Sequence, residues 1–420
     1  MAQQSPVTVR AQIVEGRVES VAAALSEDGA AAAGKLLRLA DLPGVHFARM
    51  FIVETATLQS GDTVPASLVY MADVDGSADR HLRELVENAA PAIDELFGSC
   101  VDYPERPENR QRIAWLRQHT LKPAAYYVHT VGRTVARAKD ETRLYDCIEE
   151  ILDSDGIAVD GAPPGQLRRE LRNAVLRRRD LSWIKKRPGG DGVWVELRNC
   201  VELVAVATLL VLTAPVLLPA AVIWLLLVRL RERTDSQESG IPDQAQVDDV
   251  RRYEDFVTQN PFTGVGEIKA GLVRLVTMRV ALAGLGLACR LVYNKDQLAG
   301  IDSIHFARWL PIDDNRRLIF ASSYDGSLES YMDDFITRVW WGINLVFGNG
   351  AGFPRTRWLI FGGARDEISY KHYLRRHQIP TPVFYSAYPT HTASNLDRFT
   401  QVRAGIRSDA RDADEWLALL

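Results

Sequence analysis

Two stretches of this chain, roughly 250–260 residues apart, repeat one another. Gly44–Glu54 (GVHFARMFIVE) matches Ser303–Asp313 (SIHFARWLPID), and both carry His-Phe-Ala-Arg. Leu68–Ser77 (LVYMADVDGS) matches Leu318–Ser327 (LIFASSYDGS), and both end in Asp-Gly-Ser. Trp115–His119 (WLRQH) matches Tyr373–His377 (YLRRH), and Pro123–Val128 (PAAYYV) matches Pro382–Ala387 (PVFYSA). Four matches in the same order imply a duplication, which constrains the fold more than any other feature. Each half must form the same unit.

The pattern of elements is the same in both halves. In the first, Val7–Val14 alternates as a strand and Glu15–Asp28 reads as a helix stopped by Gly29. Val45–Val53 and Ala66–Val74 read as a hairpin with a long loop, and Ala78–Phe97 as a helix. Ala125–Val131 is a strand and Ala136–Leu152 a helix, so the order is βαββαβ, the ferredoxin-like unit. In the second, Leu272–Val280 is expected as a strand and Leu282–Tyr293 as a helix. Ile304–Ile312 and Arg317–Tyr324 form a shorter hairpin. Leu328–Phe347, Val383–Tyr388 and Ala393–Ile406 complete the copy as helix, strand and helix. One such unit covers a single sheet face with helices and needs a partner for the other. Two copies packed sheet to sheet supply it, so the expected fold class is α+β: tandem ferredoxin-like repeats forming an α+β barrel.

This element order resembles the dimeric α+β-barrel superfamily, which includes dye-decolourising peroxidases and chlorite dismutases. The resemblance covers roughly residues 7–152 and 271–406. The peroxidases carry a G-x-x-D-G motif whose Asp works on the distal side of a haem. The nearest match here is Ser322-Ser323-Tyr324-Asp325-Gly326, with Ser at the first Gly; Ala72-Asp73-Val74-Asp75-Gly76 is the weaker copy. The resemblance implies haem as a cofactor and peroxidase-like chemistry.

Between the copies lies a run of 26 residues without a charge, Leu203 to Val228. About 20 such residues can span a bilayer. Pro215 and Pro219 sit at its centre, where each removes a helix hydrogen bond. A kinked span competes with a hairpin of two short helices dipping into one leaflet. Helices of about 12 residues rise only about 18 Å, too little to cross. Basic residues flank both ends: nine between Arg168 and Arg187 upstream, and Arg229, Arg231 and Arg233 downstream. A single span puts one basic flank on the wrong side. Two copies sharing one barrel also need both ends on one side, so the expectation is a re-entrant hairpin. Its marker residues are Leu203, Pro215, Pro219, Trp224 and Val228, with Trp183, Trp194 and Trp224 as interfacial anchors. The next most apolar stretch, Gly271–Val292, is interrupted by Arg274, Arg279 and Arg290 and is not expected to span. The basic segment Arg168–Arg187 is expected to meet anionic lipid headgroups. Both globular halves are placed on the cytoplasmic side.

The expected organisation is therefore repeat 1 at 1–160, a basic linker at 161–200 and the membrane segment at 201–230. A polar linker at 231–265 and repeat 2 at 266–420 follow. A net charge of −4 provides no global basic field for nucleic acid, so none is expected as a partner. The four cysteines are scattered without a C-x-x-C pair, which argues against a zinc knuckle and fits a reducing compartment. Met1–Arg10 lacks the apolar core of a signal peptide.

The repeated residues allow two readings. A structural one pairs Arg49 with Asp75 and Arg308 with Asp325 to tie strand ends together, with Asp or Ser of Asp-Gly-Ser capping a helix. A catalytic one lines the barrel with His305, Arg308 and Asp325, where Arg and Asp would polarise a peroxide O–O bond and shuttle its proton. His391, which follows a strand end and Pro389, is the candidate haem ligand, with Arg365 and Tyr385 in the cofactor-binding set. His372 and His377 lie five apart and miss the i, i+4 face of a metal-binding helix, so no metal site is expected. No P-loop, H-E-x-x-H or G-x-S-x-G is present. Two functions follow as expectations. One is a membrane-associated haem peroxidase-like oxidoreductase acting on a lipid-derived or small hydrophobic substrate. The other is a non-catalytic scaffold or lipid-binding protein that oligomerises at the bilayer.

Overall fold

The computed structural model describes residues 4–420 except 27–36, 155–162, 186–191, 239, 256, 295–296 and 408–411. Gly29, Lys186 and Arg187 of the expectations above lie outside the described residues. The first half runs β1 (Gln4–Gln12), α1 (Val18–Ser26), β2 (Val45–Val53), β3 (Ser67–Asp75), α2 (Ala78–Phe97), α3 (Asn109–Gln118), β4 (Ala125–Val128) and α4 (Val135–Asp153). Helices α5 (Pro164–Arg177), α6 (Gly192–Glu232) and α7 (Gln244–Arg251) connect it to the second half. There β5 (Gln259–Glu267), α8 (Leu272–Leu291), β6 (Ile304–Ile312) and β7 (Arg317–Asp325) come first. They are followed by α9 (Leu328–Arg338), α10 (Trp340–Phe347), α11 (Glu367–His377), β8 (Val383–Ser386), α12 (Ala393–Arg407) and α13 (Ala413–Leu417).

The first strand of the second half is therefore β5, not Leu272–Val280, which opens α8. The buried residues of α8 include Arg274, Thr277, Met278, Ala281 and Leu282, a helical spacing that its β-branched residues obscure. Strand β5 is hidden by Pro261, Gly264 and Gly266. It tolerates the proline because it is an edge strand, as is β1 with Pro6.

The protein is a mixed α+β molecule with two four-stranded antiparallel sheets, ordered β1-β3-β2-β8 and β4-β6-β7-β5. Each half gives its last strand to the other. Strand β8 pairs with β2 (Val383 opposite Met50), and β4 pairs with β6 (Ala125 opposite Trp309). A βαββαβ unit closed by its own last strand is thus not what each half forms. The crossing is short: Leu121 donates its backbone N–H to Thr8 in one sheet, and Ala124 donates to Trp309 in the other, at 2.9 Å each.

The sheets face each other across Phe51, Val53, Val69 and Met71 on one side and Leu310, Ile312, Ile319 and Ala321 on the other. Burial of such side chains contributes about 1.5–3 kcal/mol apiece. Helices cover the outer faces. The duplication extends to irregularities: α2 kinks at Ala89 (φ −137°, ψ 32°), and α9 and α10 are separated by Val339 (φ −131°, ψ 20°).

The expected proline-broken hairpin is absent. Helix α6 runs unbroken for 41 residues through Pro215 and Pro219, a rise of roughly 60 Å. A proline inside a helix costs about 3 kcal/mol. A turn there would free several backbone groups in apolar surroundings, at several kcal/mol each. Val216, Leu217 and Leu218 between the prolines also lack turn chemistry.

Candidate functional site

The repeated motifs lie at the interface between the sheets. His46 and His305 each occupy a β-bulge, the extra residue where Val45/Phe47 and Ile304/Phe306 pair with consecutive positions of the neighbouring strand. The bulge turns each imidazole to the aspartate ending that strand. His46 Nε2 lies 3.0 Å from Asp75 Oδ1, and His305 Nε2 lies 2.7 Å from Asp325 Oδ1. The second carboxylate oxygens accept from the backbone N–H of Val135 (2.9 Å) and Ala393 (2.7 Å), at the starts of α4 and α12. Gly76 and Gly326 take φ of 83° and 81°, a region that favours glycine. Ser77 and Ser327 cap α2 and α9. Asp-Gly-Ser is thereby accounted for: the Asp holds a histidine and a later helix, the Gly turns, and the Ser caps.

The arginines do not pair with these aspartates. Each crosses to the opposite sheet. Arg49 donates to Phe262 O (2.8 Å), Thr263 Oγ1 (3.2 Å), Ser322 O (2.8 Å) and Ser323 Oγ (2.7 Å). Arg308 donates to Val7 O (2.7 Å), Thr8 Oγ1 (3.0 Å), Ala72 O (2.9 Å) and the Asp73 carboxylate. The two constellations are related position for position, with one exception: Asp73 stands where the other copy has Ser323. Burial pushes the Arg49 guanidinium down to about 10, against the pull of Asp73. Around them Phe47 packs against His305 and His46 against Phe306, with ring centroids 5.1 and 5.3 Å apart.

Of the candidate catalytic set, then, His305 and Asp325 meet, while Arg308 points across the interface to Asp73. All three are engaged by protein groups, and the first copy repeats the pattern. The candidate cofactor residues do not converge. Arg365 lies over the Trp340 ring at 3.7 Å. Tyr385 is half-buried on β8, its hydroxyl held above its ordinary value by burial. His391 is half-buried, edge-on to Phe399 at 5.3 Å, its imidazole held below its ordinary value by burial.

A second region was not foreseen. Helix α8 lies on β4 so closely that a Cβ at Gly286 would come within 2.7 Å of the Ala124 carbonyl oxygen. Helix α6 lies antiparallel on α8. Trp224 Nε1 donates to Thr277 Oγ1 at 2.9 Å, and Arg290 pairs with Glu202. The indole of Trp224 therefore faces α8. Glu202, Val206, Thr213, Trp224, Val228 and Glu232 form a stripe of half-buried and buried residues at helical spacing. The described chain on either side of α6 packs on the same body. Ile184, eight residues before α6, is buried beside the helices α5 and α12. At its end Glu232 accepts from Thr356 Oγ1 and from the N–H groups of Trp358 and Leu359, at 2.8–2.9 Å. Asp235 then holds Lys269 and Arg274.

The rest of α6 is apolar and bare. Seventeen of its described large apolar side chains are exposed, Val211 and Leu212 by 73% each. Among the described residues, two helices are long and apolar enough to cross a membrane by length and composition, Leu197–Glu232 within α6 and Leu272–Leu291. The second meets that length and composition in spite of its arginines: Arg274 is turned inward to Asp235, while Arg279 and Arg290 are exposed. Of the basic segment, Arg168 is buried, donating to Gly405 O and stacked on Trp416. Arg169, Arg177, Arg178, Arg179 and Lys185 are exposed.

Between α6, α8 and α10 lies a cavity of about 770 Å³. Trp309 and Phe320 line it from the sheet, Val276, Val280 and Gly284 from α8, Trp341 and Gly342 from α10, and Leu217, Ala221 and Trp224 from α6. No charged residue, His, Cys or Met is among the described residues lining it. Of the residue types that ligate a haem iron, Tyr293 is the one present among the described residues lining the cavity. Trp309 Nε1 is buried there without an acceptor among the described residues. Sequence reasoning missed this region because small residues on three separate elements create it.

Comparison with protein-family models, with characterised proteins and with solved structures finds no match for this chain.

Proposed function

We propose that this chain is a membrane-surface protein of non-catalytic type, held on one leaflet by α6 with both halves on the same, cytoplasmic side. The observation that carries this reading is the geometry of α6. The described chain on either side of it packs on one body, one stripe contacts α8, and its remaining faces expose apolar side chains far beyond what a soluble monomer presents. In this reading α6 is immersed beside the body it lies on, with affinity scaling with the apolar area it buries. In this reading the exposed Arg169, Arg177, Arg179 and Lys185 meet anionic headgroups. The two halves are read as tandem ferredoxin-like units closed into one α+β barrel by exchange of their last strands. The peroxidase-like alternative has no such observation in its favour, because His305, Arg308 and Asp325 are engaged by structural partners.

Topology is tested with Cys200. It is exposed near the start of α6, whereas Cys100, Cys147 and Cys289 are buried. In sealed vesicles, a membrane-impermeant maleimide should label Cys200 and an engineered Ser236→Cys from the same side. Labelling from opposite sides would overturn the surface attachment. Attachment itself is tested by flotation with anionic vesicles: Val211→Glu with Leu212→Glu should release the protein. A variant that still floats, or a wild-type chain that associates only with itself, removes the reading.

A further inference from the structure

The cavity beneath α6 is not needed for attachment, and a helix held only for adhesion would close onto α8. Instead Ala221 of α6, Gly284 of α8 and Gly342 of α10 leave space between the three helices. At about 770 Å³ the space falls within the roughly 300–1,000 Å³ of sites that enclose a small molecule. Water fills such a space poorly, since each water needs about 2–4 polar partners. The walls offer few polar groups: Thr277, whose hydroxyl already accepts from Trp224 and donates to Val273 O, Tyr293, and the single indole N–H of Trp309. No charged group is there to recognise an ion or a zwitterion.

We infer that the cavity is a binding site for one uncharged hydrocarbon chain of the acyl or isoprenoid class, its polar end left outside. The chain lies against Trp309 and Phe320 and leaves past Val280 and Trp341, which are 66% and 44% exposed. They share the cavity lining with Leu217 and Leu225, both exposed on α6, so the path a chain takes into the site is apolar. The inference stands on the cavity, not on the attachment: a chain delivered from a carrier would occupy it equally.

The test uses the full-length chain and tryptophan fluorescence. Trp309 is only 5% exposed, so bulk lipid does not reach it. Two probes separate the sources: vesicles of brominated phosphatidylcholine for a bilayer lipid, and brominated stearyl alcohol in detergent for a carried single chain. Saturable quenching by either probe, reversed by its unbrominated counterpart and reduced in Trp309→Phe to the share that Trp224 and Trp341 supply, is the expected result. Gly284→Leu with Gly342→Leu then fills the site. A Cβ at either glycine meets nothing within 4 Å, so the fold accepts both side chains, and leucine favours helix more than glycine does. Affinity should fall at least tenfold, with thermal unfolding unchanged or raised. Should the double variant misfold, each single variant is read alone. Absence of saturable quenching, or equal quenching in the filled variants, overturns the inference.

Discussion

The asymmetry between the two crossed arginines makes a quantitative prediction. Asp73 is the one carboxylate in the pair of constellations: it accepts from Arg308 and from Tyr126 Oη (3.1 Å), and its charge also acts on Arg49. Arg49 itself meets only carbonyl and hydroxyl oxygens. Asp73→Asn keeps the shape and an acceptor oxygen but leaves two buried guanidinium groups without a carboxylate. Breaking a buried ion pair in this way costs about 3–5 kcal/mol. That is a large share of the roughly 5–15 kcal/mol that holds a domain folded. Ser323→Ala, at the mirrored position, removes one hydrogen bond to a charged donor and should cost about 1.5–3 kcal/mol. Removing the cation as well, in Asp73→Asn with Arg308→Met, should restore part of the loss, giving a coupling of opposite sign to the single costs. The assay is urea unfolding in mild detergent, followed by circular dichroism. If Asp73→Asn costs less than about 1 kcal/mol, or no more than Ser323→Ala, the claim that this carboxylate balances both arginines is wrong.

Two further predictions concern acid and truncation. His81 on α2 is buried against Tyr70 Oη (2.8 Å), and burial pushes its imidazole down to about 4 from the ordinary 6.5. The unfolded chain takes up the proton first, so stability is full above pH 6.5 and falls as pH drops toward 4, by about 2 kcal/mol at pH 5. His81→Gln should flatten the urea midpoint between pH 7.5 and 5 by that share; His377, also held down by burial, keeps a residual slope of the same sign. A profile as steep as wild type would refute the assignment to His81. Residues 1–153 expressed alone lack β8 beside β2, and their β4 lacks β6. They should not fold as a monomer, and a monomeric fragment that unfolds cooperatively would contradict the strand exchange.

Much of this was legible in local pattern. The period-two strands and helical spacings placed most elements, and Asp-Gly-Ser announced a turn followed by a cap. Strand β5 escaped because Pro261, Gly264 and Gly266 break the alternation that reveals a strand. The hairpin was misread because proline rules describe a helix in water, whereas an apolar segment penalises a break more than the prolines do. The arginine partners escaped for a different reason. Nearness in sequence offered Asp75 and Asp325, but in the register Arg49 stands opposite Met71 and Arg308 opposite Ala321, four positions short of those strand ends.

The sequence by itself determined that there are two equivalent halves, that a long apolar segment separates them, and where their turns and caps fall. These depend on contacts within a few residues. Only the tertiary structure decided which half owns each last strand, because duplicated halves present the same edges and local chemistry cannot choose between them. It also decided that α6 lies along the body, and that Ala221, Gly284 and Gly342 leave a cavity against Trp309. Those outcomes depend on residues far apart in the chain meeting in one place, where the cost of burying charge and the shape of packing are settled together.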